Sequence, residues 1–121
     1  MKKGIIFFTF LFFITLTVKA QGEANNWYFG NYAGLTFNTN PPSALTDGAV
    51  TTSEGSATIS DANGNLLFYT DGRNVYNKTH VTMPNGTGLF GDPSSAQSAI
   101  IIPKPGSKTN YFIITVSEKG D

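Results

Sequence analysis

The chain has no cysteine and only one histidine in 121 residues, and charged side chains make up 13% of it. Without a thiol it can form no disulfide, thiolate metal site, iron–sulfur cluster or cysteine nucleophile. An N-terminal lipid on cysteine is excluded for the same reason. With His80 alone, any single-chain site that needs two imidazoles is excluded as well. Lys and Arg cluster nowhere, so the sequence lacks the basic patch that a nucleic acid or an anionic membrane surface selects. Neither a Gly-x-Ser-x-Gly elbow nor a phosphate-cradling glycine loop occurs.

One long apolar run does occur, and it lies at the N-terminus. Lys2 and Lys3 precede a nearly continuous apolar stretch from Ile5 to Val18, and Val18-Lys19-Ala20 then leads into polar sequence. A basic start, a short apolar run and a small residue at the cut form the pattern of a secretory signal peptide. The run falls short of the roughly 20 residues that span a bilayer. The sequence therefore predicts a signal peptide over residues 1–20, cleaved near Ala20, and a secreted or outer-surface domain over 21–121 with no membrane span. That domain keeps five basic and eight acidic side chains, a net charge of −3. With no disulfide available, it must be held by its core.

Beyond the signal, no window has the three-and-four apolar spacing of an amphipathic helix. Short β-type runs alternate with turn residues. The runs are Trp27–Phe29, Leu35–Phe37, Ala57–Ile59, Leu66–Thr70, Asn74–Tyr76, Ile100–Ile102 and Tyr111–Val116. Asp47-Gly48, Asn63-Gly64, Asp71-Gly72, Asn85-Gly86 and Pro105-Gly106 punctuate them, the dipeptides that tight turns favour. The expected class is all-β. The clearest hairpin joins Ala57–Ile59 to Leu66–Tyr69 through Asp61-Ala62-Asn63-Gly64.

Leu66–Tyr69, Ile100–Ile102 and Tyr111–Ile114 are apolar on both faces, whereas a sheet with one wet face alternates. This predicts sheets stacked face to face in series. Ser56-Ala57-Thr58-Ile59 is also echoed by Ser98-Ala99-Ile100-Ile101, and Leu66–Thr70 by Tyr111–Thr115. A period of about 40 to 45 residues is that of a propeller blade. The expected fold is a partial β-propeller of antiparallel blades, with a small antiparallel β-sandwich as the alternative. Because a propeller closes with roughly four to eight blades, residues 21–121 are expected to be the N-terminal part of a longer, truncated propeller-like domain.

Several blocks carry a resemblance in order: Asn26-Trp27-Tyr28-Phe29-Gly30, Ala33-Gly34-Leu35-Thr36-Phe37-Asn38, Ser53–Asp61, Asn63–Gly72, Met83-Pro84-Asn85-Gly86 and Ser95–Ile101. Together they resemble the N-terminal, propeller-like region of large secreted surface proteins of gliding and related Bacteroidetes. The resemblance spans essentially all of residues 21–121. It implies downstream domains of the same polypeptide, export by type IX secretion, and a non-enzymatic binding or adhesion role toward a surface glycan or protein. It supplies no catalytic residues. In the bacterial source that this resemblance implies, the sequons Asn77-Lys78-Thr79 and Asn85-Gly86-Thr87 carry no meaning.

Asp61, Asn63 and Asn65 alternate like calcium ligands, but the glycine is in the fourth position and position twelve is Gly72, so a hairpin turn fits better. Glu54, Asp61 and Asp71 could supply the carboxylate pair of a glycan hydrolase, yet each adjoins a turn glycine, where acids serve the backbone. A glycan-hydrolysing propeller with part of its catalytic set in further blades is the alternative function. Trp27, Tyr28, Tyr32 and Tyr76 could stack on sugar rings; packing is the expected role of strand aromatics. His80 is expected in a polar surface loop, and Met83–Gln97 as a long, glycine-rich loop. No catalytic, cofactor or metal residue is assigned, and the ligand-binding residues stay unknown.

Overall fold

The computed structural model describes residues 22–117, so the signal segment lies outside the described residues. Nine strands follow a short 3-10 turn at Gly22–Ala24. They are β1 (Asn26–Phe29), β2 (Ala33–Thr36), β3 (Ser43–Leu45), β4 (Ala57–Ser60), β5 (Leu66–Thr70), β6 (Asn74–Asn77), β7 (Thr82–Thr87), β8 (Ala99–Pro103) and β9 (Tyr111–Thr115). They form three sheets, β1-β2-β3, β4-β5-β6-β7 and β8-β9, every pairing antiparallel between chain neighbours. The protein is all-β, and none of the three sheets is closed.

The predicted hairpin is present. Thr58 pairs with Tyr69 and Ile59 with Phe68. Gly64 turns the chain at φ +84°, a conformation that glycine adopts without a Cβ penalty. Its missing Cβ also lets the Asn25 and Asn38 side chains close on the turn.

Two strands were not legible as runs. Ser43–Leu45 follows Pro41-Pro42 and is too short to show alternation. The segment Met83–Gln97, expected as one loop, begins as strand β7. Its Asn85-Gly86 is no hairpin turn. Thr82 pairs with Tyr76 and Thr87 with Asn74, so β7 bulges between them, and Asn85 at φ +58° sits inside the bulge. A bulge draws on the same positive-φ residues as a tight turn.

The sheets pack in chain order through their leading strands, β4 against β1 and β8 against β4. A serine marks each junction. Ser56 Oγ donates to Tyr28 O at 2.8 Å, and Ser98 Oγ donates to Gly55 O at 2.6 Å. These two serines open the two copies of the sequence repeat. Gly55 makes the second junction possible, because a Cβ there would strike the backbone of Ser95 and Ser98. Asn26 Nδ2, buried at the first junction, donates to Ser60 Oγ at 2.9 Å and to Gly64 O at 2.7 Å. Each such buried bond contributes about 0.5–1.5 kcal/mol net and costs more if left half-made.

The core lies between the first two sheets. Tyr28, Val50 and Tyr69 are buried, with Leu45, Ala49, Leu66 and Tyr76 packed around them. The Tyr28 ring stacks on Tyr69 at 4.5 Å, and Tyr69 stacks on its cross-strand partner Tyr76 at 5.3 Å. Offset aromatic pairs add about 0.5–1.5 kcal/mol each beyond the area they bury.

The expectation of two covered faces holds for β5, where every residue is buried or half-buried. It fails for the third sheet. Ala99 is buried and Ile101, Tyr111 and Ile113 are half-buried, while Ile100, Ile102, Phe112 and Ile114 are 41–50% exposed on the other face. Among the described residues, no element covers that outer face.

Candidate functional site

A group of chemistry-bearing side chains converges where the β3–β4 loop meets the β6–β7 turn. Asn77 builds the turn: its Oδ1 accepts from Thr79 N at 2.9 Å, Thr79 Oγ1 at 2.8 Å and Val81 N at 3.1 Å. His80 follows at φ +63°, which carries its ring inward over the tyrosine stack, 5.3 Å from Tyr28 and 5.9 Å from Tyr69. The expected polar surface loop is therefore corrected. His80 is half-buried, because the Asn77 side chain folds the turn back onto the core.

Its partners order the protons. Ala49 N donates to Tyr69 Oη at 2.9 Å, which leaves the phenol hydrogen for His80 Nδ1 at 3.0 Å. A neutral imidazole protonated at Nε2 then donates to Asp47 Oδ2 at 3.2 Å. Asp47 Oδ1 accepts from Tyr28 Oη at 3.0 Å. Burial, then the bond to the Asp47 carboxylate, pushes the Tyr28 phenol far above its ordinary 10.0. Burial pushes Tyr69 up as well.

A carboxylate, an imidazole and a hydroxyl in sequence could move a proton, but Tyr69 is completely buried and its oxygen is taken by Ala49 and His80. Reactants need direct approach to such a group. The chain of bonds instead fastens residues 47–49 of the β3–β4 loop to β5 and to the β6–β7 turn. Asp47, Tyr69 and His80 are separated in sequence, and no turn signal or motif of the sequence pointed to their meeting.

The other candidates are placed as follows. Asp61 Oδ1 accepts from Asn63 N at 2.8 Å and Asn65 N at 2.9 Å, and Asn65 Nδ2 donates to its Oδ2 at 2.9 Å. These bonds hold the Asp61 carboxyl below its ordinary range, the Asn65 side chain contributing most. Asn65 thus presents a donor toward Asp61, the wrong end for a shared cation. Asp71 Oδ1 accepts from Arg73 N at 2.8 Å and Asn74 N at 2.6 Å. Glu54 is exposed on the loop before β4. Among the described residues, no group of three or more His, Asp or Glu could hold a metal ion.

The aromatic set divides. Tyr28 and Tyr76 belong to the core stack, whereas Trp27 is 50% and Tyr32 52% exposed. Trp27 meets the half-exposed Phe37 ring at 4.9 Å and anchors its Nε1 on Ala24 O at 2.9 Å.

A cleft of about 550 Å³ lies beside the β4–β5 turn and is lined by Asn26, Asn38, Asp61, Asn65, Leu67 and Lys78. Among the described residues, no helix is long and apolar enough to cross a membrane. No protein-family profile, curated protein or solved structure matches this chain.

Proposed function

We propose that this chain is a non-enzymatic binding module of the cell surface or extracellular space, built from blade-like sheets of a propeller-type domain and belonging to a larger surface protein of the Bacteroidetes kind. The observation that carries the reading is the serial docking of β1, β4 and β8, with Ser56 Oγ on the Tyr28 carbonyl of β1 at the first junction and Ser98 Oγ on the Gly55 carbonyl of the loop leading into β4 at the second. Successive four-stranded meanders joined through their first strands are the building plan of a propeller, and β4 to β7 form one such meander. The basic start and the apolar run from Ile5 to Val18 support export.

The turn aspartates support binding over hydrolysis, since Asp61 and Asp71 spend their oxygens on backbone N–H groups. The cleft beside Asn38, Asp61 and Lys78 offers amide, carboxylate and ammonium groups that suit sugar hydroxyls. A glycan array and a hydrolysis screen on the exported protein test the reading. Capture of a glycan without turnover, weakened by Lys78→Ala, is the expected result. Turnover of any glycan defeats it.

A further inference from the structure

We infer that the connections β1–β2 (30–32), β3–β4 (46–56), β5–β6 (71–73) and β7–β8 (88–98) build one acidic, aromatic docking face for another protein, one that sets an apolar pocket among lysine or arginine side chains. This face lies at the opposite end of the strands from the glycan cleft and does not depend on that reading. β5 shows the separation: Leu66 at its start lines the cleft, and Thr70 at its end leads into the β5–β6 turn.

Hydrogen bonds tie the four connections together. Tyr32 N donates to Val50 O at 2.8 Å and Thr52 N to Gly30 O at 3.2 Å, which joins the β1–β2 turn to the β3–β4 loop. Thr52 Oγ1 donates to Pro93 O at 3.2 Å and Gly55 N to Ser95 O at 3.1 Å, which joins that loop to the β7–β8 connection. Leu89 N donates to Arg73 O at 3.1 Å and Gly91 N to Gly72 O at 2.9 Å, which seats the β7–β8 connection on the β5–β6 turn. Gly91 allows the seating, because a Cβ there would strike the Gly72 carbonyl. Each connection runs between two described strands. Strands added to a sheet extend it sideways, in the hydrogen-bonding direction, and leave such loop ends open.

Two aromatic side chains project from this frame. Leu89 is half-buried, whereas Phe90, held between two bonded neighbours, is 86% exposed. Tyr32 is 52% exposed, and its backbone sits at φ +59°. Apolar side chains exposed singly are ordinary on a surface. A bulky residue in the left-handed region is strained, however, and strain that packing does not require concentrates at binding loops. His80 adopts the same conformation to reach the core; Tyr32 adopts it with half its surface left in solvent. Charge also separates along the strands. Glu54, Asp71 and Asp92 stand on this face beside Arg73, three carboxylates against one guanidinium, a net charge of −2. Lys78, Lys104 and Lys108 all lie on the β6–β7 and β8–β9 turns at the opposite end. Complementary charge steers a partner and fixes its orientation. Aromatic anchors entering a pocket supply much of the binding energy. The complement of this face is therefore an apolar pocket with a basic rim, and an anionic membrane or nucleic acid is repelled.

The test places a photo-crosslinking side chain on the full chain in the cells that export it, as Phe90→benzoylphenylalanine, with the same change at the exposed Val81 of the opposite end as control. The expected result is a covalent product with another protein from position 90 and none from position 81, the modified site lying beside Lys or Arg. Between the purified pair, Phe90→Ala should weaken binding at least about tenfold, as loss of an anchor does. Tyr32→Gly and the combined Glu54→Lys and Asp92→Lys should weaken it too, and so should raising the salt from about 0.05 to about 0.5 M. Phe90→Ala and Tyr32→Gly should melt with the parent protein, because neither ring belongs to the core and glycine accepts the positive φ. Lost binding then cannot be read as lost folding. No product from position 90 overturns the inference, and so does a product formed only with a second copy of this chain, a glycan or lipid. A partner whose binding ignores the charge reversal overturns it as well. Melting of Phe90→Ala well below the parent does the same, since the ring then serves packing.

Discussion

Tyr69→Phe is the cleanest perturbation of the network that joins the first two sheets. The change keeps the ring, so the stacking on Tyr28 at 4.5 Å and Tyr76 at 5.3 Å is retained. Only the hydroxyl is lost. Ala49 N then loses its acceptor at 2.9 Å, and His80 Nδ1 loses its donor at 3.0 Å. A buried group left unpaired costs about 1–3 kcal/mol; Ala49 and His80 are half-buried and recover some hydration, so about 1.5 kcal/mol is expected. For a domain of this size that lowers the melting temperature by about 6–12 °C. Tyr69→Ala removes the ring too and should cost about 3–5 kcal/mol. Thermal unfolding of the exported protein followed by circular dichroism measures both. A double-mutant cycle with His80→Ala should return a coupling of about 0.5–1.5 kcal/mol for the Tyr69–His80 bond. If Tyr69→Phe melts within a degree of the parent protein, the clamp contributes nothing and the description of this network is wrong.

The buried phenols set an alkaline limit. Tyr28 and Tyr69 have folded pKa values raised above 10.0, so their contribution to stability is complete below pH 10 and declines as pH climbs further, because the unfolded chain releases its protons first. Urea melts between pH 8 and 11.5 should show stability falling by at most about 1.4 kcal/mol per pH unit for each tyrosine, and Tyr28→Phe should flatten the slope; a flat profile for the parent would contradict the burial. At the second junction, Gly55→Ala drives a methyl into the Ser95 and Ser98 backbone and should cost about 1–3 kcal/mol. Ser98→Ala, which loses the bond to Gly55 O, should cost about 1 kcal/mol. Both should speed amide exchange in β8 and β9 while leaving β5 and β6 unchanged; a uniform acceleration would show that the third sheet is not docked through this junction.

Much of the backbone plan is local and was legible for that reason. Hairpin geometry depends on neighbours in sequence, so Asn63-Gly64 fixed the β4–β5 turn and the apolar runs located seven of the nine strands. Residues that need positive φ were also visible, but their use was not: Asn85-Gly86 serves a bulge as readily as a turn. β3 escaped because three residues carry no periodicity. His80 was misplaced because its neighbours are polar, while its position depends on Asn77 bonding back across the turn.

By itself, the sequence determined the all-β class, the chemistry that a cysteine-free chain with one histidine excludes, and the Ser-Ala repeat that opens two hairpins. Only the tertiary structure decided what those serines do, which tyrosine receives the imidazole, and which apolar face stays open. Turns and strand runs are written in adjacent residues. Docking of one sheet on the next depends on groups such as Ser98 and Gly55, 43 positions apart, whose meeting no local pattern encodes.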